Sequence, residues 1–134
     1  MFERINHVGI AVSELDTAIA HYSEQFGVEL VHREVLDDDS VDAALVSAGD
    51  DRLELVAPLV ADTPLSRFIK KRGPGVHHIA YEVEDIDAAL ATLRERTVKL
   101  IDDVPRAGIH GSRVAFIHPS SCFGVLTELV ERTR

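Results

Sequence analysis

Apolar side chains alternate with polar or small ones in two short stretches, Ile5 to Val12 and Val76 to Val83. A period of two residues is typical of a β-strand with one buried face. After each stretch, apolar residues recur three and four positions apart, which predicts an amphipathic helix packed on a sheet. These residues are Leu15, Ala18, Ile19, Tyr22 and Phe26 in the first helix, and Ile86, Ala89, Leu90 and Leu93 in the second.

Three further strands are predicted after each helix. They are Leu30 to Leu36, Val41 to Ser47 and Arg52 to Ala57, then Val98 to Ile101, Arg113 to His118 and Val125 to Val130. Each half therefore has the pattern β-α-β-β-β, so we expect an α+β fold with two tandem modules, about 1–57 and 76–134, in one domain spanning 1–134. In the linker 58–75, Thr63 followed by Pro64 predicts a short helix that runs through Lys71.

The two halves are also related in sequence. His7 to Ala20 aligns without a gap with His78 to Ala91, five of the 14 pairs are identical, and most others are conservative. Similarity at a fixed spacing indicates an internal repeat. The repeat aligns His7 with His78 and, after small shifts in loop length, Glu54 with Glu128. Two histidines and two glutamates therefore occupy matched positions.

These four side chains form a plausible ligand set for a metal ion. Glu54 and Glu128 lie in apolar strands, where an ionised carboxylate is unfavourable unless it is paired or binds a metal. Two imidazole nitrogens and two carboxylate oxygens suit Co, Zn, Ni or Mn better than Mg or Ca. The alternative is that duplication copied structural residues together with the core.

Composition and charge exclude several classes of function. The chain has 23 acidic and 14 basic residues and a net charge of -9, the wrong sign for a nucleic-acid-binding protein. No apolar run approaches the ~18 residues that a membrane span needs. Cys122 is the single cysteine, and the first residues, MFERINHVGI, contain no basic leader. We therefore expect a cytoplasmic protein.

With these four residues on paired modules, the sequence resembles the vicinal-oxygen-chelate superfamily over essentially its whole length. Within it, the sequence is similar to the methylmalonyl-CoA epimerase family. The matching stretches are NHVGIAV, LELVAPL, TPLSRFIKKRGPGVHHIAYEVEDIDAAL, PRAGIHGSRVAFIHP and GVLTELVE. The resemblance implies a curled mixed sheet around one divalent metal ion bound by His7, Glu54, His78 and Glu128.

The resemblance also implies an acyl-CoA thioester substrate. In that family, (2R)- and (2S)-methylmalonyl-CoA interconvert by removal and return of the α-proton through a metal-stabilised enolate. Glu128 is expected to act as a ligand and as an acid/base. Some relatives have a second glutamate before the middle of the third strand, where this chain has Ala43, so the adjacent Asp42 is the candidate second acid/base. Asp42 can take this role only if a one-residue offset or a bulge turns it inward.

The glycine-flanked loop AGIHGSR is expected to contact substrate through His110, Gly111 and Arg113. The family's lysine after His-Pro is Ser120 here, which weakens any inference about the CoA contacts. Exposed sheet edges lead us to expect a homodimer, with modules pairing within or between subunits.

Three other functions remain open at this point. A glyoxalase I-type lactoylglutathione lyase uses the same four ligands. A ring-cleaving dioxygenase uses two histidines and one carboxylate around iron and does not need Glu54. A non-catalytic drug-binding protein of the same fold needs no metal, so elemental analysis distinguishes it.

Overall fold

The computed structural model describes residues 1–133. Its elements, in chain order, are β1 (Arg4–Ala11), α1 (Leu15–Phe26), β2 (Glu29–Leu36), β3 (Val41–Ala48), β4 (Asp51–Pro58), α2 (Pro64–Arg72), β5 (Gly75–Val83), α3 (Ile86–Glu95), β6 (Arg106–Ala107), β7 (Arg113–Ile117) and β8 (Thr127–Glu131). The predicted order of elements is confirmed except for the strand predicted at Val98 to Ile101. None of the helices in residues 1–133 is long and apolar enough to cross a bilayer.

Local sequence accounts for the ends of the helices. Thr63 caps α2, because its hydroxyl oxygen accepts from the Ser66 amide at 3.1 Å and Pro64 occupies the first helical turn. Asp85 caps α3 by accepting from the Ala88 amide at 3.0 Å. Gly27 ends α1 with φ of 64°, a left-handed conformation that favours glycine.

The predicted strand Val98 to Ile101 is wrong. Apart from one isolated bridge between Leu100 and Ile117, residues 98–101 have no ladder, and the two-residue strand β6 follows instead. Two backbone hydrogen bonds remain, from His118 to Lys99 at 3.0 Å and from Ile101 to Phe116 at 2.9 Å. The next acceptor is a side chain, because Asp102 Oδ2 accepts from the Phe116 amide at 2.9 Å in place of a strand carbonyl. This side-chain contact interrupts the regular pairing that alternation predicts.

The chain forms two compact units. The first, called the N-terminal unit, comprises Val8–His77, and the second, called the C-terminal unit, comprises Met1–His7 and the chain from His78 onward. Strand β1 therefore contributes its first residues to one unit and its last residues to the other.

In the N-terminal unit the strand order is β2-β3-β4-β1. Strands β1 and β4 are parallel, and the other two pairs are antiparallel. Helix α1 covers one face through Leu15, which packs on the buried residues Ala44, Val46, Leu55 and Ala57. Glu54 precedes Leu55 in β4 and therefore lies on the other face.

The C-terminal unit repeats this arrangement with the order β5-β8-β7-β6, in which β5 and β8 are parallel. Helix α3 covers one face of this sheet. The core between the helix and the sheet consists of Val83, Ile86, Ala89, Leu90, Leu93, Ala115, Ile117 and Leu129. The opposite face carries a smaller buried cluster of Ala80, Val114 and Val130. Side chains that alternate with the α3 core therefore point to that second face.

Candidate metal centre

Strands β5 and β8 place His78 and Glu128 on the same face of the C-terminal unit. Glu128 pairs directly with Ala80, which lies two residues after His78, so all three side chains point away from α3. His78 is 2% exposed, Glu128 6% and Ala80 0%. Because Ala80 has only a methyl group, it leaves space between the imidazole and the carboxylate.

His7, near the start of β1, completes this group within the same unit. Its Nε2 atom lies 3.1 Å from Nε2 of His78. The same atom lies 3.0 Å from Oε1 of Glu128, and Nε2 of His78 lies 3.6 Å from that oxygen. Within this unit, the structure therefore brings together the predicted ligands His7, His78 and Glu128.

Asn6, which the sequence analysis did not single out, contacts the imidazole of His7. Nδ1 of His7 lies 2.8 Å from Oδ1 of Asn6. The amide oxygen can only accept, so Nδ1 carries a proton, and in the neutral imidazole Nε2 then presents a lone pair to the cluster. Strand alternation directs the Asn6 side chain away from His7 and so gives no indication of this contact. The sequence offers one signal for it, which is that Asn6 is adjacent to a predicted ligand histidine.

The three converging atoms fit a cation. Nε2 of His7 is an acceptor, and Oε1 of Glu128, 3.0 Å away, is a buried acceptor with no hydrogen-bond donor among residues 1–133. Two acceptors in contact repel each other unless a proton or a cation lies with them. Two imidazoles and a carboxylate are the mixed nitrogen and oxygen set that borderline divalent ions prefer.

Glu54 has the matching position in the N-terminal unit. It is 8% exposed and pairs with Gly9 across the parallel strands β4 and β1. Gly9 follows His7 by two residues, as Ala80 follows His78, so the registers repeat the sequence duplication. On the same face, Leu45 pairs directly with Glu54.

Asp42, the predicted second acid/base, is not brought to that face. The β3–β4 register runs without a break from Val41 to Ala48, so Asp42 points to the α1 side, opposite to Glu54. The bulge that would turn it inward is absent, because the one irregularity in β2–β3 lies between Leu30 and His32. Instead Oδ2 of Asp42 accepts from Nη2 of Arg33 at 2.8 Å.

Arg33 is held on both sides. Hydrogen bonds to Asp42 and then to Asp16 raise the pKa of the Arg33 guanidinium above its ordinary value. The face of Asp42 and its pairing with a permanent cation both oppose a role in proton transfer, and the prediction is corrected accordingly.

Arg113, predicted to bind substrate, also lies on the helix-covered face. Its neighbour Val114 pairs with Val130 on the Glu128 side, so Arg113 points toward α3. Nη2 of Arg113 donates to Asp87 at 2.9 Å, and Nη1 lies 3.2 Å from Glu131. These hydrogen bonds raise the pKa of the Arg113 guanidinium, Asp87 contributing most. Arg113 therefore contacts α3, which opposes its predicted contact with a substrate.

The loop that contains His110 and Gly111 is tightly closed. The Gly108 amide donates to the Ser112 carbonyl at 2.8 Å, and His110 is exposed at the tip with a left-handed φ of 59°. Contact of His110 and Gly111 with substrate stays a prediction. Ser120 forms a local hydrogen bond, in which its amide donates to Nδ1 of His118 at 3.0 Å.

Comparison with known proteins identifies the family. Residues 6–116 match the model of the Glyoxalase/Bleomycin resistance protein/Dioxygenase superfamily. The mitochondrial methylmalonyl-CoA epimerase of Bos taurus is 38% identical over 127 residues, which cover 94% of this chain and 73% of that protein. The chain belongs to the methylmalonyl-CoA epimerase family. An ethylmalonyl-CoA/methylmalonyl-CoA epimerase of Cereibacter sphaeroides is 37% identical, with 96% of this chain and 98% of that protein covered.

A solved structure of a family member extends the similarity to the whole fold. A methylmalonyl-CoA epimerase in complex with methylmalonyl-CoA and an ammonium ion has a TM-score of 0.95 and 38% sequence identity. The match covers 99% of this chain and 96% of the epimerase. The predicted family and fold class are thereby confirmed.

Proposed function

We propose that this protein is a methylmalonyl-CoA epimerase that interconverts the (2R) and (2S) forms of the thioester. The observation that carries the proposal is the buried contact between Glu128 and the two imidazoles, found in a chain of the epimerase family. A buried carboxylate beside a substrate that bears an acidic α-hydrogen is the group that proton abstraction requires.

In this proposal His7, His78 and Glu128 would hold one divalent ion. The role of Glu54 as fourth ligand stays a prediction from the sequence, and its burial and its register repeat those of Glu128. We propose Co, Zn, Ni or Mn as the ion, since the donors mix nitrogen and oxygen. When bound, such an ion supplies Lewis acidity that stabilises negative charge on the thioester oxygen.

The chain's own residues set up the proton transfer. Glu128 takes the α-proton, and the apolar cluster of Ala80, Val114 and Val130 on the same face keeps water away from the carboxylate. Inversion needs a second proton carrier on the opposite side of the planar carbon. We do not assign this role to Asp42, because it points to the α1 side.

A direct test measures both the configuration and the deuterium content of the α-carbon. Purified (2S)-methylmalonyl-CoA in heavy water, with enzyme, is expected to give the (2R) form with deuterium at the α-carbon. The Glu128→Gln variant, which keeps the size of the side chain, is expected to lose turnover while remaining folded. Isomerisation of a glutathione hemithioacetal without α-proton exchange in methylmalonyl-CoA would instead establish the lactoylglutathione lyase alternative.

We also propose a cytoplasmic homodimer. Strand β2 is the outer strand of its unit, and its Leu30, Val31 and Val35 are between 45% and 48% exposed. An exposed apolar edge strand is a common site of chain pairing. Light scattering coupled to size exclusion at micromolar concentration should give twice the chain mass, and a monomer would contradict the proposal.

A further inference from the structure

The geometry points to Asn6 as a positioning residue, which fixes the tautomer and the ring orientation of His7. This inference rests on the proposed metal site, since the fixed nitrogen is a proposed ligand. Its basis is a chain of contacts from Glu82 to Asn6 to His7, all within the C-terminal unit.

Glu82 determines which way the Asn6 amide faces. Nδ2 of Asn6 donates to Oε2 of Glu82 at 3.2 Å. A carboxylate accepts and an amide nitrogen donates, so the nitrogen must face Glu82 and the oxygen must face His7. The assignment of the amide atoms therefore follows from the hydrogen bonds alone.

The orientation of the amide then fixes the imidazole. With Oδ1 of Asn6 2.8 Å from Nδ1 of His7, the neutral imidazole carries its proton on Nδ1 and its lone pair on Nε2. Nε2 of His7 lies 3.1 Å from Nε2 of His78 and 3.0 Å from Oε1 of Glu128, so this nitrogen lies among the proposed ligands. A hydrogen bond to the second nitrogen of a ligand histidine holds the ring and increases its basicity.

The duplication did not copy this contact. The residue that precedes His78 is His77, which aligns with Asn6 in the repeat but packs edge-on against Phe68 at 4.9 Å. The two proposed ligand histidines therefore differ, because an asparagine precedes His7 and a histidine precedes His78.

Three variants separate positioning from a purely structural role. Asn6→Leu removes both the acceptor and the donor, whereas Asn6→Asp keeps an acceptor for His7 and loses the donor to Glu82. A structural tether between Asn6 and Glu82 predicts equal damage in both variants. Positioning predicts damage in Asn6→Leu alone. Asp87→Ala, which removes an exposed carboxylate that pairs with Arg113, is the matched control.

The first measurement needs no metal. Long-range proton–nitrogen NMR of the metal-free enzyme at alkaline pH, with the His7 signals assigned from His7→Ala, reports which nitrogen carries the proton. We expect Nδ1–H in the wild type and in Asn6→Asp, and a mixture of tautomers in Asn6→Leu. A wild-type His7 protonated on Nε2 would overturn the inference.

The second measurement is the affinity for Co²⁺, obtained by competition with a chromophoric chelator. Loss of such a contact weakens metal binding by about 10- to 100-fold, which we expect for Asn6→Leu, with Asn6→Asp and Asp87→Ala close to the wild type. Wild-type affinity in Asn6→Leu would overturn the inference. If the wild type itself binds no Co²⁺, the proposed metal site fails, while the tautomer still decides the role of Asn6. Should Asn6→Leu not fold, Glu82→Ala, which frees the amide to rotate, is expected to show the same mixed tautomers.

Discussion

Replacing Asp42 with asparagine distinguishes a structural carboxylate from a catalytic one. The structure places Asp42 on the α1 face, where its carboxylate accepts from Nη2 of Arg33 at 2.8 Å and from Nε at 3.3 Å. We therefore expect Asp42→Asn to lower the stability and to leave turnover intact. Asp16→Asn is the matched control, because Asp16 binds the same guanidinium from α1 and was never a candidate for catalysis.

The expected losses of stability follow from the solvent exposure of the two carboxylates. The side chain of Asp42 is 16% exposed and that of Asp16 is 74% exposed, so solvent screens the second ion pair more strongly. Surface pairs contribute between about 0.2 and 1 kcal/mol, and we place Asp42 near the upper end and Asp16 near the lower end. For a chain of this size, a loss of about 1 kcal/mol lowers the Tm by about 4 °C.

The turnover of Asp42→Asn decides whether this carboxylate is structural or catalytic. Removal of a general acid/base lowers kcat by about 100- to 10,000-fold, whereas we expect Asp42→Asn to stay within about twofold of the wild type. The assay is deuterium exchange at the α-carbon together with inversion, and thermal unfolding is measured on the same samples. A hundredfold loss of kcat in Asp42→Asn with a normal Asp16→Asn would refute the placement of Asp42 outside the site.

The remaining predictions concern other parts of the fold. Arg113→Gln is expected to lower the Tm by a few degrees, because it removes the contacts with Asp87 and Glu131. The KM for methylmalonyl-CoA is expected to stay unchanged. A large rise in KM would show that Arg113 binds the substrate. Gly108→Ala is expected to cost about 1–3 kcal/mol by overpacking, since a Cβ there would lie 2.8 Å from a Val114 methyl, and an unchanged urea midpoint would contradict this. His7→Ala is expected to abolish turnover and Co²⁺ binding while the circular dichroism spectrum stays native, and wild-type turnover would exclude His7 as a ligand.

The repeat is what made the site predictable from sequence. Matched histidines and matched glutamates point to shared chemistry, and strand alternation places His78 and Glu128 on one face, as the β5–β8 register confirms. Burial of all four residues was predictable for the same reason, because the strands around them are apolar.

The faces of Asp42 and Arg113 depend on strand register, because adjacent strand residues face opposite sides. A one-residue error in register exchanges the two faces. The register of β3 is set by its pairing with β4, so it cannot be read from the sequence of β3 alone. Their ion-pair partners, Arg33 and Asp87, come from other elements and carry no local signal.

The contact of Asn6 was hidden by the same rule. Alternation directs its side chain away from His7, yet the amide reaches back to Nδ1, which depends on a rotamer and on Glu82, far along the chain. The missing strand at 98–101 has a similar cause, since the carboxylate of Asp102 takes the place of a backbone acceptor. In both cases a single side chain overrides the periodic pattern.

The central claim is that His7, His78 and Glu128 hold a divalent ion on which epimerisation depends. Its most direct measurement is deuterium exchange at the α-carbon of methylmalonyl-CoA by enzyme depleted of metal with a chelator, and then titrated with Co²⁺. We expect no exchange in the depleted enzyme and full recovery at one equivalent of metal per chain. Exchange at the original rate without metal would contradict the account.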